Sequence, residues 1–380
     1  MRYFVTVFYP FEESHLVKDV NLLGYSYSKK YNYTPVIVGE NNPDKFSKEL
    51  KNFPNLLFEK VPKIDHKKKI LGVNFETLKY LWSIRETESV ICFFHFRIEY
   101  FYYFLFIRLF IPGFKIVQKL DLNVKEFERK GGFFDSKYKI NRWRLAFYEF
   151  FILKLTHLVT VESDSGKSAL KKRYNRFAEK FFTIRNGLCE IKRDFSTVKK
   201  ENLMITVGRI GTYQKNIEFL LKALDGMELK DWSVKIIGPV NNEFRDVFDR
   251  YLFSNKDHVG KVELTGSITD REELYAIYAK SKVMLLTSRF EGFPIVFPEA
   301  LAFGNYILTT EVSGSKDICN NKVNGKEVRQ GDIIAYKKSL VEIIKGENSY
   351  IEKVQERKNN AEIYKWDNIS EKLHLALEQI

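Results

Sequence analysis

The chain alternates short, unbroken apolar runs with longer stretches whose apolar positions recur every three or four residues. In the first half the runs lie at 3–8, 35–38, 55–58, 90–94, 115–123 and 181–184, with helical spacing at 16–28 and 75–85 between them. In the second half, runs at 203–207, 233–237, 262–264, 283–286 and 306–310 alternate with helical segments at 217–224, 242–253, 271–280 and 332–345. Apolar runs with little polar alternation mark strands covered on both faces, as in parallel sheets flanked by helices. Repetition of strand and helix predicts βαβ units throughout, hence an α/β fold of Rossmann-like, doubly wound sheets. A chain of 380 residues exceeds what one compact core organises, so two domains are expected, at 1–190 and 200–363. A basic stretch over 191–202 serves as the linker.

One segment departs from this rhythm. Residues 99–110 are apolar almost all round and strongly aromatic, closed by Pro112-Gly113. Two readings stand side by side: a core helix beneath the sheet, or an interfacial helix that lays aromatic rings on a bilayer while nearby Lys and Arg meet anionic headgroups. Arg142, Arg144, Lys154 and the run Lys171-Lys172-Arg173 supply such charges among Trp143, Phe147 and Phe150. Arg97, Glu99 and Arg108 interrupt the greasy region around this segment, and a spanning helix needs about 20 consecutive apolar residues, so no transmembrane span is read. No secretory leader is read at the N-terminus either.

Charge sharpens the picture. Residues 1–195 hold 35 Lys+Arg against 22 Asp+Glu, whereas the remainder holds 27 against 27, so the whole excess of +13 sits in the first half. Such a half is suited to an anionic partner: a membrane surface, nucleic acid or a phosphorylated substrate. Cys92, Cys189 and Cys319 are odd in number and widely spaced, which fits a reducing compartment and gives no metal-ligand spacing.

The turn after the first strand, Tyr9-Pro10-Phe11-Glu12-Glu13, has no glycine; a dinucleotide fingerprint needs several there, which disfavours a nicotinamide or flavin enzyme. Gly166-Lys167-Ser168 evokes a phosphate-binding loop, but Val161 stands where the first glycine belongs, and Glu162 and Asp164 would repel a phosphate. Asp164 or Ser165 is read instead as a helix N-cap. Two other stretches sit better. After the strand at 203–207, Gly208 and Gly211 allow a sharp turn, Arg209 and Lys215 place two cations at the strand's carboxyl end, and Asn216 is read as an N-cap. After the strand at 283–286, Glu291-Gly292-Phe293-Pro294 leads to Pro298-Glu299-Ala300-Leu301-Ala302 and a stop at Gly304. Two carboxylates eight apart thus bracket a strand-to-helix turn, where open α/β sheets bind ligands. In the first half, His95 and Asp121 follow strands in the same way and are further site candidates. A capping box is read at Thr269 and Glu272.

Glu291 to Glu299, within "EGFP…PEAL", resembles the E-x7-E signature of retaining nucleotide-sugar glycosyltransferases of group 1 (family 4), whose two Rossmann-like domains face a central cleft in the GT-B arrangement. "GR…GTYQKN" over 208–216 is similar to that group's diphosphate-binding segment, and Arg185-Asn186-Gly187 to its usual "PNG" at the domain junction, with Arg in place of Pro. The resemblance is specific over 203–304 and architectural before that. It implies that Glu291 lies by the transferred sugar and that Arg209 and Lys215 meet the diphosphate; on that reading His95 and Asp121 are candidates on the acceptor side, His95 as a catalytic polar group or else a packed structural residue. It also implies that Glu299 holds the ribose hydroxyls, that Gly292, Phe293, Pro294, Gly208 and Gly211 line the donor site, and that Ser267 and Ile268 meet the base. The terminal segment 364–380 would cross back onto the first domain.

The function expected is therefore a retaining, metal-independent glycosyltransferase that moves a sugar from a UDP- or GDP-sugar to a lipid-linked or polysaccharide acceptor. It would need no resident cofactor and no nucleic acid, and would work in the cytoplasm at the inner face of an anionic membrane. The rivals are a non-catalytic basic protein that binds nucleic acid or membrane, and a P-loop phosphotransferase.

Overall fold

The computed structural model describes residues 1–40, 46, 50–62, 72–134 and 142–380, without the side chain of Arg142. The chain divides into two compact units, Met1–Cys189 with Lys365–Ile380, and Glu190–Tyr364.

The first unit is built on seven parallel strands: β1 (Tyr3–Val7), β2 (Thr34–Gly39), β3 (Leu57–Lys60), β4 (Ser89–Phe94), β5 (Phe114–Leu120), β6 (Leu158–Val161) and β7 (Phe181–Thr183), in the order β3-β2-β1-β4-β5-β6-β7. Its helices are α1 (Asp19–Tyr31), α2 (Phe75–Ser83), α3 (Tyr100–Phe110), α4 (Val124–Lys130), α5 (Arg142–Leu155) and α6 (Asp164–Arg173). Strand order reverses between β1 and β4, so the loops that leave these two strands diverge and open a crevice. The final helix of the chain (Trp366–Glu378) belongs to this unit, packing Trp366, Ile369 and Leu373 into the same core as Phe4, Leu23 and Tyr27.

The second unit repeats the plan with six parallel strands: β8 (Glu201–Val207), β9 (Ser233–Ile237), β10 (Val262–Gly266), β11 (Ser281–Leu286), β12 (Tyr306–Thr310) and β13 (Gly325–Val328), ordered β10-β9-β8-β11-β12-β13. Between them run α7 (Ile217–Leu224), α8 (Asn242–Ser254), α9 (Arg271–Lys280), α10 (Val296–Ala302), α11 (Ser315–Cys319), α12 (Ile333–Ile344) and α13 (Val354–Ala361), and Trp366–Glu378 of the first unit is α14. The switch point here lies between β8 and β11. Both units are thus doubly wound α/β layers, as expected from the patterning.

Some local expectations need correction. The strand expected at 55–58 forms two residues later, as β3. The N-cap of α6 is Ser163, whose hydroxyl accepts from Gly166 N–H, while Asp164 accepts from Thr183 and Arg185 instead. Gly166-Lys167-Ser168 therefore lies inside a helix rather than in a phosphate-binding loop. Asn216 does begin α7, but in left-handed backbone (φ 51°) and with no side-chain cap bond, because a turn and not a cap sets its conformation. At α9 the capping carboxylate is Asp270, which accepts from the N–H groups of Glu272 and Glu273, not Thr269.

The aromatic helix α3 turns Tyr100, Tyr103, Phe104 and Ile107 into the core, so the core reading holds for its inner face. On its outer side Phe101 meets Phe147 and Phe151 of α5, with ring centroids 5.8 and 6.1 Å apart. Leu109, Phe110 and Trp143 remain exposed, Trp143 at 84%. The stretch 124–140, where a loop with a short helix is expected, begins with that helix, α4; residues 135–141 lie outside the described residues.

Candidate functional site

The loops that leave β8 and β11 meet at the switch point of the second unit. Gly211 has φ 81°, a conformation in which a side chain is strained, and a Cβ there would also lie 2.6 Å from Phe244. At Gly238, after β9, a Cβ would fall 1.8 Å from the carbonyl oxygen of Gly208, so only glycine lets these backbones meet. The aliphatic stem of Lys215 passes over Gly208, within 3.1 Å of where a Cβ would stand.

Lys215 Nζ donates to Glu291 Oε1 at 2.6 Å, Ser288 Oγ donates to the same oxygen at 2.7 Å, and Gln214 Nε2 donates to Oε2 at 3.1 Å. Gln214 in turn accepts from Arg209 Nη2 at 2.8 Å. Backbone bonds lock the two loops together: Arg289 N–H to Gln214 O at 2.8 Å, and Thr287 Oγ1 to Lys215 O at 3.2 Å. Charge-assisted donors in this number fix a carboxylate in position and orientation. Arg209 is exposed, whereas the Lys215 and Glu291 side chains are 16% and 11% exposed.

Glu299 occupies the first turn of α10 and is buried. Arg271 Nη2 donates to Oε1 at 2.6 Å and Tyr278 Oη to Oε2 at 3.0 Å. Burial pushes the Glu299 carboxyl up, with Arg271 and then Tyr278 opposing it. Gly292 and Pro294 are buried in the turn. Phe293 is a core side chain: it packs against Gly314 and Tyr364, so its contribution to the site is to anchor the turn. Ser267 is exposed and Ile268 half-buried, both at the carboxyl end of β10.

In the first unit, His95 follows β4 at that sheet's own switch point, in left-handed backbone with φ 65°. Its N–H bonds Lys119 O at 2.8 Å, and its ring lies 5.8 Å from that of Phe8. Desolvation pushes its pKa below the ordinary value, outweighing the opposing pull of Asp121. A bulky residue in this backbone region is uncommon and marks a place where local structure is imposed. His95 and Asp121 are both exposed at the ends of neighbouring strands. Below them Lys119 is buried and donates to Glu162 at 2.5 Å, Asp19 at 2.8 Å and Asn186 at 3.0 Å. Among the described residues no group of three His, Cys, Asp or Glu side chains is placed to hold a metal ion.

Gln214, Ser288, Arg271 and Tyr278 had no assigned role in the sequence reading. Arg271, Tyr275 and Tyr278 recur at four- and three-residue intervals, which sets them on one helix face. That spacing was the available signal.

Residues 190–363 match the family described as "Glycosyl transferases group 1". Over 182 residues the chain is 30% identical to an uncharacterised glycosyltransferase of Methanocaldococcus jannaschii, covering 47% of this chain and 45% of that one. Over 209 residues it is 28% identical to the Campylobacter jejuni "GalNAc-alpha-(1->4)-GalNAc-alpha-(1->3)-diNAcBac-PP-undecaprenol alpha-1,4-N-acetyl-D-galactosaminyltransferase", covering 54% and 56%. These matches span about half the length of each relative. Among solved structures, a glycosyltransferase from Rickettsia africae superposes with a TM-score of 0.74 at 16% identity, covering 100% of this chain and 98% of that one. The Anabaena HepE protein in complex with UDP and glucose does so with a TM-score of 0.71 at 14% identity and full coverage of both. At such identities the likeness is one of fold, the GT-B fold of two Rossmann-like domains.

Proposed function

We propose, from the match of residues 190–363 to the group 1 glycosyl transferases, that the chain transfers a sugar from a nucleoside-diphosphate donor to a glycan or lipid-linked acceptor, with retention and without a metal ion. The observation that supports this most is the convergence of Lys215, Gln214 and Ser288 on Glu291 at the β8–β11 switch point. A carboxylate fixed by three donors beside two basic side chains suits a sugar whose anomeric carbon becomes electron-poor next to a diphosphate that gains charge.

In this reading the nucleotide's diphosphate lies on the loop after β8, where Lys215 has further N–H donors besides the one on Glu291 and Arg209 is exposed. Neutralising the charge that develops on a leaving group is worth about 10²–10³ in rate per donor in comparable sites. The bond from the anomeric carbon to the phosphate oxygen breaks, and the acceptor oxygen bonds that carbon from the same face. The acceptor's proton passes to the leaving phosphate oxygen. Glu299 accepts from the two ribose hydroxyls, and the strand ends that carry His95 and Asp121 take the acceptor.

A lipid-linked acceptor is favoured by two facts. The Campylobacter jejuni relative is named for an undecaprenol-diphosphate substrate, and the basic first unit exposes Trp143, Phe147, Leu109 and Phe110. Aromatic and aliphatic side chains among Lys and Arg suit the interface of an anionic bilayer. No helix among the described residues is long and apolar enough to cross a membrane. The test is release of a nucleoside diphosphate from a panel of nucleotide sugars, with the anomeric configuration of the product read by NMR. Release with retained configuration is expected; inversion, or no release from any donor, would overturn the reading.

A further inference from the structure

Glu299 is held entirely from one neighbouring helix. Arg271 and Tyr278 lie seven residues apart on α9, about two turns, and each donates to a different oxygen of the carboxylate. Arg271 is itself fixed, since its Nε donates to Tyr275 Oη at 3.0 Å and its guanidinium lies 5.5 Å from that ring's centroid. A carboxylate offers about four lone-pair sites, so one remains on each oxygen after Arg271 and Tyr278 have bonded. Two sites on two oxygens match two adjacent hydroxyls.

Several other charged groups around α10 have partners of their own. From α13, Arg357 donates to the carbonyls of Gly304, Val323, Tyr350 and Ile351, and Lys353, at the N-cap of α13, pairs with Glu356. Lys358, also from α13, bears on Lys200, whose Nζ is bonded to the carbonyls of Tyr278 and Ser281. Lys215 is paired with Glu291. Burial pushes the Glu299 carboxyl up, and Arg271 is the leading opposing influence.

We propose that Arg271 is a positioning residue that keeps Glu299 a fixed, negatively charged double acceptor, so that this chain recognises the ribose of its donor through the Arg271–Glu299 pair and not through Glu299 alone. The proposal rests on the ribose role of Glu299. A protonated Glu299 would spend one oxygen as a donor and could no longer accept from both hydroxyls.

The test is calorimetric titration with UDP, GDP and ADP at several pH values, on wild type, Arg271→Met, Arg271→Lys and Glu299→Gln. Without the guanidinium, which opposes the upward push of burial, the Glu299 carboxyl should lie higher than in wild type and ionise at a higher pH. Relative to wild type at each pH, Arg271→Met should then bind the nucleotide most weakly at the acid end of the series and recover as pH rises, by up to about tenfold per pH unit. Arg271→Lys should bind nearly as wild type, and Glu299→Gln weakly at every pH. A loss in Arg271→Met that is the same at all pH values, or that lysine does not repair, would overturn the proposal while leaving the ribose role intact. Wild-type affinity in Glu299→Gln, or no binding of any of the three by wild type, would overturn the ribose role and the proposal with it. Folding provides a second check. A carboxyl raised in the folded state stabilises less as pH rises through its folded value, so Arg271→Met/Glu299→Gln should melt above Arg271→Met in alkaline buffer; an equal or lower melting temperature contradicts the proposal.

Discussion

Lys215, from the loop after β8, holds Glu291, from the loop after β11, at 2.6 Å across the point where the strand order of the second sheet reverses. The two residues are 76 apart in sequence, and only the parallel pairing of β8 with β11 brings their loops together. The same arrangement gives the two carboxylates of the E-x7-E turn different surroundings. Glu291 faces the basic loop, and Glu299 is buried against α9.

That difference predicts a division of labour. Glu291→Gln should lower kcat by about 10²–10³ with nucleotide affinity little changed, since the charge it offers matters most as the sugar becomes electron-poor. Glu299→Gln should chiefly weaken nucleotide binding, because an amide no longer offers two equivalent acceptors. Steady-state kinetics and nucleotide titration on both variants check this; unchanged affinity in Glu299→Gln would remove its ribose role.

Arg357 is a structural counterpart with no part in catalysis. It is fully buried on α13 and its guanidinium serves four backbone carbonyls. Arg357→Leu leaves those acceptors unsatisfied at about 1–3 kcal/mol each before relaxation. A loss of a few kcal/mol, about the cost of one or two such groups, is expected in chemical denaturation. A change within experimental error would mean the carbonyls find other partners.

His157 gives the fold a sensitivity to acid. Burial, reinforced by Arg108, Lys180 and Lys115, holds its pKa down at about 4 against an ordinary 6.5. Its Nδ1 accepts from Ile116 N–H at 2.9 Å, a bond that protonation destroys. The folded pKa is depressed for a group that is cationic when protonated, so the stability it contributes is present above pH 6.5 and lost as pH falls towards about 4. Solvent access to the half-buried ring keeps the effect below about 1.4 kcal/mol per pH unit. His157→Gln should flatten this part of the stability-against-pH curve; parallel curves for variant and wild type would contradict it.

The first unit should dock on anionic lipid. Each Lys or Arg near such a surface contributes about 1 kcal/mol, decaying within a Debye length. Flotation with liposomes is expected to recover the protein with anionic lipid at low salt and to lose it at high salt. Substituting Trp143 and Phe147 by alanine should weaken recovery. Binding indifferent to lipid charge and salt would contradict the electrostatic part, and no binding would favour an acceptor in solution.

How much of this was legible in the sequence varies with the range of the interaction. Most strands were legible because buried parallel strands carry little but apolar side chains, as at Val283–Leu286, whereas β6 and the half-polar β13 (Gly325–Val328) were not among the runs expected; the glycines at 208 and 211 announced a tight turn. Glu291 and Glu299 were legible through the resemblance. Their partners were not: Arg271 lies 28 residues before Glu299 and Gln214 lies 77 before Glu291, distances that only the fold spans. The aromatic helix could not be oriented because an all-round apolar pattern carries no phase. Caps were misassigned by one or more positions at α6 and α9, where neighbouring Ser, Thr and Asp compete for the same N–H groups.

The central claim is that the switch point of the second unit binds a nucleoside diphosphate through Arg209 and Lys215. It is tested most directly by melting temperatures of wild type, Arg209→Ala and Lys215→Ala with UDP, GDP, ADP, CMP and ATP. A ligand at 100 times its dissociation constant adds about 2.7 kcal/mol of stability, and each removed charge-assisted bond should cost about 1.5–3 kcal/mol of affinity. The account predicts that at least one diphosphate raises the melting temperature of wild type, and that the rise largely disappears in both variants while their unliganded melting temperatures stay close to that of wild type. No shift with any nucleotide, or an undiminished shift in Lys215→Ala, would contradict it.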